Sequence, residues 1–193
     1  MAVGATATII ANLFFEEKIK INKSLAGLLL GAILADTMEY NSPTTTPLDK
    51  EIGNKLESIA KVSSKELYSE LIKHGESLQN KKSIDILYND YKEYIINGNK
   101  IGIAQATCMN KQEYLAVKDT LEQSLQEACK SKQYDLMMCM LTDPTGKGSY
   151  LIAKGAKESV IEEMYPDSGE YHFVQKLMSR KKQLLPNLIE RLS

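Results

Sequence analysis

The sequence predicts an α/β (α+β) chain: a helical first third, then a compact unit in which strands and helices alternate. Three observations carry this. Up to about residue 66 the apolar residues recur at helical spacing. Beyond it, Ile- and Tyr-rich runs flank Asn97-Gly98-Asn99, a strong hairpin signal. The run Tyr134 to Leu141 is continuously apolar, which suits a strand covered on both faces.

The elements follow in order. Ile9, Ile10, Leu13 and Phe14 lie on one face of a first helix over Ala5 to Lys18. Ser24 caps a second helix that reaches Met38 and is apolar on nearly every side, so it should be central. Thr46 caps a third, with Pro47 at its first position. Ser63 and Glu66 form a capping box for a fourth, ending near Ser77, and a short helix covers Ser83 to Tyr88. Strands are expected over Lys92 to Ile96 and Lys100 to Cys108. Asn110 and Glu113 then open a helix that ends near Lys132. After the Tyr134 strand, Asp143-Pro144-Thr145-Gly146 supplies a turn into a partner strand, Ser149 to Ala153. Lys157 to Tyr165 reads as a helix, Tyr171 to Met178 as extended, and Arg180 to Leu192 as a closing helix. The domain boundary is expected near residue 66, giving 1–66 and 67–193.

Composition narrows the function classes. The 193 residues are 43% hydrophobic, ample for a buried core. Lys and Arg total 24 against 25 Asp and Glu, a formal charge of -1, so no global basic field argues for nucleic acid or an anionic membrane. Any anion site must be local. The apolar stretch Leu25 to Ala35 is about half of the roughly 20 residues that span a bilayer. Three cysteines, Cys108, Cys129 and Cys139, without CxxC spacing suit a reducing cytoplasm better than a disulfide framework or a zinc site.

Few residues stand out chemically. Asp36 ends a nearly all-apolar helix. Buried there, it needs an ionic partner or a metal; facing solvent, it needs neither. Ser179-Arg180-Lys181-Lys182-Gln183 puts three cations at a helix start, the end where the macrodipole disfavours positive charge. A phosphate ligand would compensate, and a solvated turn is the plainer alternative. Lys92 alone reads as a strand-edge lysine. His74 and His172 lie in unrelated contexts, and Gly146-Lys147-Gly148-Ser149 lacks the spacing of a phosphate loop.

An ordered set of phrases adds to this reading. It comprises Val3-Gly4-Ala5-Thr6-Ala7-Thr8, Ala26-Gly27-Leu28 with Ala35-Asp36-Thr37, Ser42-Pro43-Thr44, Asp90-Tyr91-Lys92-Glu93-Tyr94, Ile103-Ala104-Gln105, Leu141-Thr142-Asp143 and the Ser179 to Gln183 run. Together they resemble a family II, manganese-dependent inorganic pyrophosphatase of the DHH phosphoesterase superfamily, in its C-terminal portion. The resemblance implies a helical remnant of the metal-binding DHH domain followed by a substrate-binding domain with a mixed β-sheet flanked by helices. It implies hydrolysis of pyrophosphate to two phosphates. It makes Asp36 one metal ligand, and Lys92, Arg180 and Lys181 the holders of the substrate phosphates, with no catalytic residue assigned. The implied cofactor is Mn2+, with Mg2+ or Co2+ as substitutes, and the implied partners are pyrophosphate, an N-terminal metal-binding half and a second copy in a homo-oligomer.

The family's opening histidine/aspartate motif and its DHH motif have no counterpart in these residues. The chain is therefore expected to start part-way through such an enzyme and to be inactive alone. An exopolyphosphatase of the same superfamily and a non-catalytic phosphate-binding or dimerisation module remain the alternatives.

Overall fold

A computed structural model describes residues 3–74 and 77–193, and the chain divides into two compact units, Met1–Gly75 and Glu76–Ser193. The first unit comprises α1 (Thr6–Glu16), α2 (Lys23–Thr37), α3 (Pro47–Ala60) and α4 (Ser64–Lys73). Ala26, Leu29, Leu30, Ile33, Leu34 and Thr37 form the buried stripe of α2, at the three- and four-residue spacing of a helix face. That helix touches α1, α3 and α4. It is central without being enclosed, since Leu28 on its far side is 73% exposed. The Asn22 side chain, rather than that of Ser24, caps it by accepting the Leu25 N–H at 2.9 Å. Thr46 and Asp49 form the capping box of α3.

The expected boundary at residue 66 falls inside α4. Because α4 packs on α2, the break between the units comes later, at residues 75 and 76.

The second unit begins with a 3-10 turn (Leu78–Asn80) and α5 (Ser83–Asn89). The hairpin β1 (Tyr91–Ile96) and β2 (Asn99–Thr107) follows, then α6 (Lys111–Lys132), β3 (Leu136–Asp143) and β4 (Gly148–Lys154). A short α7 (Val160–Met164), β5 (Phe173–Gln175), a π-turn (Arg180–Leu184) and α8 (Leu185–Leu192) close the chain. Among the described residues the strands form one five-stranded mixed sheet in sequence order, parallel between β2 and β3 and antiparallel elsewhere. The 22-residue α6 is the crossover a parallel pair requires.

Every residue of β3 is buried, and alternation splits them between two cores. Met137, Cys139 and Leu141 pack with Tyr114, Leu121 and Leu125 of α6. Leu136, Met138 and Met140 pack on the opposite face with Val160, Leu184 and Leu188. The Asn97-Gly98 turn has φ of 47° and 79°, the left-handed pair of a tight hairpin.

Two expectations are corrected. The extended segment expected over Tyr171 to Met178 shrinks to the three residues of β5, because Lys176 bends into the left-handed region at φ 64°. The closing helix starts with a π-turn, in which Leu184 N–H reaches Ser179 O at 3.2 Å.

Candidate phosphate-binding site

The Ser179 to Gln183 run is a locally closed turn. Ser179 Oγ accepts the Lys182 N–H, while Gln183 Oε1 folds back to accept the Met178 and Ser179 N–H groups at 2.8 and 3.0 Å. Gln183 Nε2 donates to Lys176 O at 2.9 Å, and Lys176 N–H donates to Lys147 O at 2.7 Å, so the turn is tied to the β3–β4 connection. These bonds decide which cations point outward. Lys181 and Lys182 are exposed, whereas Arg180 is turned in and only 9% exposed.

A buried guanidinium needs acceptors. Arg180 Nη1 donates to the main-chain oxygens of Asp90 and Ile103 at 2.7 and 3.2 Å, and Nη2 donates to Asp90 Oδ1 at 2.8 Å. Ile103 is the register partner of Lys92, so the guanidinium is anchored beside the strand pair that carries Lys92. The Lys92 side chain is exposed and makes no hydrogen bond or ion pair among the described residues. Opposed residues share a sheet face, and Ile103 belongs to the same core cluster as Leu184 of the turn. Lys92 and the Arg180 guanidinium therefore meet the same β1–β2 pair, and Lys181 follows Arg180 in the turn with its side chain exposed.

The same face carries the polar ends of the central strands. Gln105 Nε2 donates to Thr142 Oγ1 at 3.3 Å; Ser149 Oγ lies 3.2 Å from that oxygen and donates to Leu177 O at 2.6 Å. Sequence reasoning did not single out Asp90, Gln183, Gln105, Thr142 or Ser149. The first four lie inside the quoted phrases, so the available signal was their neighbourhood, with nothing in spacing to say which side chains would meet.

Asp36 lies at the end of α2 in the first unit, its side chain exposed and without a hydrogen bond among the described residues. Partial burial still raises its pKa from the ordinary value. Met38, Glu39 and Tyr40 follow it in three successive left-handed conformations, φ 49°, 51° and 63°, a costly run for residues with side chains. Among the described residues no group of three or more His, Cys, Asp or Glu side chains is placed to hold a metal ion. One carboxylate does not fit a divalent manganese pair, which needs several carboxylate or imidazole ligands. No metal-dependent step can be built from these residues.

Asp49 is a carboxylate that sequence reasoning passed over. It is fully buried and accepts Gly4 N–H, Ala5 N–H, Thr8 Oγ1, Thr46 N–H and Thr46 Oγ1, the first three from the start of α1. Burial by itself would raise its pKa, but the donors, Thr8 and Thr46 foremost, outweigh it and hold the carboxyl below its ordinary value. Gly146-Lys147-Gly148 is a tight connection built on Asp143, whose Oδ1 accepts the Thr145 N–H and hydroxyl and the Gly146 N–H. The His74 ring lies 3.5 Å from Glu70, and His172 lies 3.4 Å from Ser168 Oγ.

The family model for the DHHA2 domain matches residues 69–191. The chain belongs to the DHHA2 domain family. Among relatives of this DHHA2 chain, a manganese-dependent inorganic pyrophosphatase of Methanocaldococcus jannaschii is 38% identical, the match covering 96% of this chain and 64% of that protein. A cobalt-dependent inorganic pyrophosphatase of Clostridium perfringens is 34% identical, over 97% of this chain and 35% of that protein. A crystal structure described as a family II inorganic pyrophosphatase of Methanococcus jannaschii superposes with a TM-score of 0.79 at 36% identity, covering 99% of this DHHA2 chain and 65% of that one. The chain spans less than two thirds of the length of each.

Proposed function

We propose that this chain is the C-terminal portion of a manganese-dependent inorganic pyrophosphatase and supplies the clamp for the substrate phosphates. Lys92, Arg180 and Lys181 hold pyrophosphate, and Asp36 contributes one ligand to a metal centre completed by a further metal-binding segment. Pyrophosphate carries several charges at neutral pH, and hydrolysis moves more charge onto the departing phosphate. Fixed cations stabilise that charge without reorganising at the moment of reaction. Arginine offers a fork of N–H donors to one phosphoryl group, and the two lysines act as mobile point charges.

The observation that carries the reading is that Lys92 and the Arg180 guanidinium, 88 positions apart in the chain, both meet Ile103 of the β1–β2 pair, with Lys181 next to Arg180 in the turn. The relatives' names support the substrate. A cytoplasmic location and assembly with a second copy belong to the same reading; among the described residues no helix is long and apolar enough to cross a membrane.

Titration of pyrophosphate into the chain, followed by phosphorus NMR, tests the clamp. Arg180→Ala should weaken binding about ten- to a hundredfold, as expected for losing a charge-assisted contact of roughly 1.5–3 kcal/mol, and Arg180→Lys should recover only part. Unchanged affinity in Arg180→Ala would return the run to a solvated turn. Supplied with Mn2+, the chain alone should release phosphate far below the ordinary enzyme range of roughly 1–10³ per second.

A further inference from the structure

The donor inventory of Arg180 is unevenly spent. A guanidinium has an end-on fork formed by Nη1 and Nη2, a side-on fork formed by Nε and Nη2, and one further Nη1 hydrogen beside the side-chain stem. Asp90 occupies the end-on fork, with its main-chain oxygen on Nη1 at 2.7 Å and Oδ1 on Nη2 at 2.8 Å. Ile103 O takes the remaining Nη1 hydrogen at 3.2 Å. Among the described residues Nε–H meets no protein acceptor, and since Nε is not one of the sealed unpartnered side-chain atoms, this edge of the guanidinium opens to solvent although the side chain is nine-tenths buried. An open edge on a buried cation makes a ready seat for an oxyanion.

Asp90 is itself well anchored. It sits where α5 passes into β1, and its main-chain oxygen also accepts the Gln105 N–H at 2.9 Å, so both arms of the Arg180 contact start from a fixed point of the β1–β2 pair. A carboxylate this close to a phosphate-binding arginine would compete with the phosphate if both needed the same donors. The two forks let both bind.

We propose that Asp90 is a positioning residue: it locks the plane of Arg180 through the end-on fork and so dedicates the side-on fork to a single phosphoryl group. This rests on the reading of Arg180 as a phosphate-binding residue. It also accounts for the expectation that Arg180→Lys recovers only part of the binding, because one ammonium cannot hold Asp90 and present a second planar fork.

The test measures pyrophosphate affinity by phosphorus NMR in the chain and in Asp90→Asn, Asp90→Ala and Asp90→Glu, each with Arg180 and with Arg180→Ala, alongside thermal unfolding. Asparagine keeps an acceptor for Nη2, so Asp90→Asn should stay within about threefold of the parent, whereas Asp90→Ala should weaken binding about tenfold. In the Arg180→Ala background neither change should matter further. Should Asp90→Ala not fold, Asp90→Glu decides, since it keeps the charge, displaces the carboxylate and should bind more weakly than Asp90→Asn. Affinity that is unchanged or tighter in Asp90→Ala, while Arg180→Ala still weakens it, overturns the role of Asp90 and leaves the clamp standing. Equal losses in Asp90→Asn and Asp90→Ala overturn it as well. No loss in Arg180→Ala overturns both readings.

Discussion

The Thr8 hydroxyl donates to Asp49 Oδ1 at 2.5 Å across 41 residues of sequence, inside the first unit. This bond joins the first turn of α1 to the first turn of α3, and the other Asp49 oxygen ties Gly4 and Thr46 to the same carboxylate. Asp49→Ala leaves several donors facing a void and should destabilise the first unit by about 2–4 kcal/mol in denaturant unfolding.

Its protonation gives an acid signature. A carboxyl held below its ordinary value in the folded chain contributes stability that is complete above the unfolded-state value of 3.8 and is lost as pH falls through the lower folded value. Unfolding midpoints measured between pH 7 and pH 2 should therefore drop steeply below about pH 4. Asp49→Asn should start lower and show a shallower acid slope; an unchanged slope would remove Asp49 from the acid response.

Gly53 of α3 faces Tyr40. A methyl group added at Gly53 would stand 2.0 Å from Tyr40 Oη and 3.0 Å from Cζ. Alanine usually gains about 1 kcal/mol over glycine inside a helix, but here overpacking should reverse the sign and cost about 1–3 kcal/mol. Thermal unfolding of Gly53→Ala with and without Tyr40→Phe checks this, since removing the hydroxyl should recover much of the loss.

Gln183 should behave as the keystone of the Ser179 to Gln183 turn. Gln183→Leu keeps the volume but strips the acceptor from the Met178 and Ser179 N–H groups. A stability loss of about 1–3 kcal/mol is expected, together with weaker pyrophosphate binding as Arg180 and Lys181 lose their fixed orientation.

Lys92→Ala and Lys181→Ala should show the opposite balance. Both side chains are exposed, so stability should move by less than about 0.5 kcal/mol. Pyrophosphate affinity should fall about three- to tenfold, an effect that shrinks as added salt screens the exposed charges. An equal loss at low and high salt would argue against direct contact with the anion.

Much of this protein could be read from local pattern. Helix caps at Thr46, Ser63 and Asn110, reciprocal as a capping box only at Thr46 among the described residues, the Asn97-Gly98 turn and the apolar run of β3 are short-range signals, and short-range hydrogen bonds and side-chain periodicity enforce them. Where an element depended on distant contacts, pattern failed. Asn22 displaced Ser24 as the cap of α2, β5 kept only the residues that pair with β4, and α4 went with the first unit because its apolar face meets α2.

The candidate site divides in the same way. Three cations at an expected helix start made the Arg180 to Lys182 run a candidate anion site with a solvated turn as the plainer alternative, whereas Lys92 entered only through the resemblance, since alone it reads as a strand-edge lysine. Tertiary structure alone decided which cation is spent inside the protein. Arg180 meets Asp90 and Ile103, 90 and 77 positions away, because strand pairing and the π-turn bring those acceptors beneath its guanidinium. Only a folded sheet can arrange that, because one-dimensional spacing carries no information about which distant carbonyls will lie within hydrogen-bond reach of a buried charge.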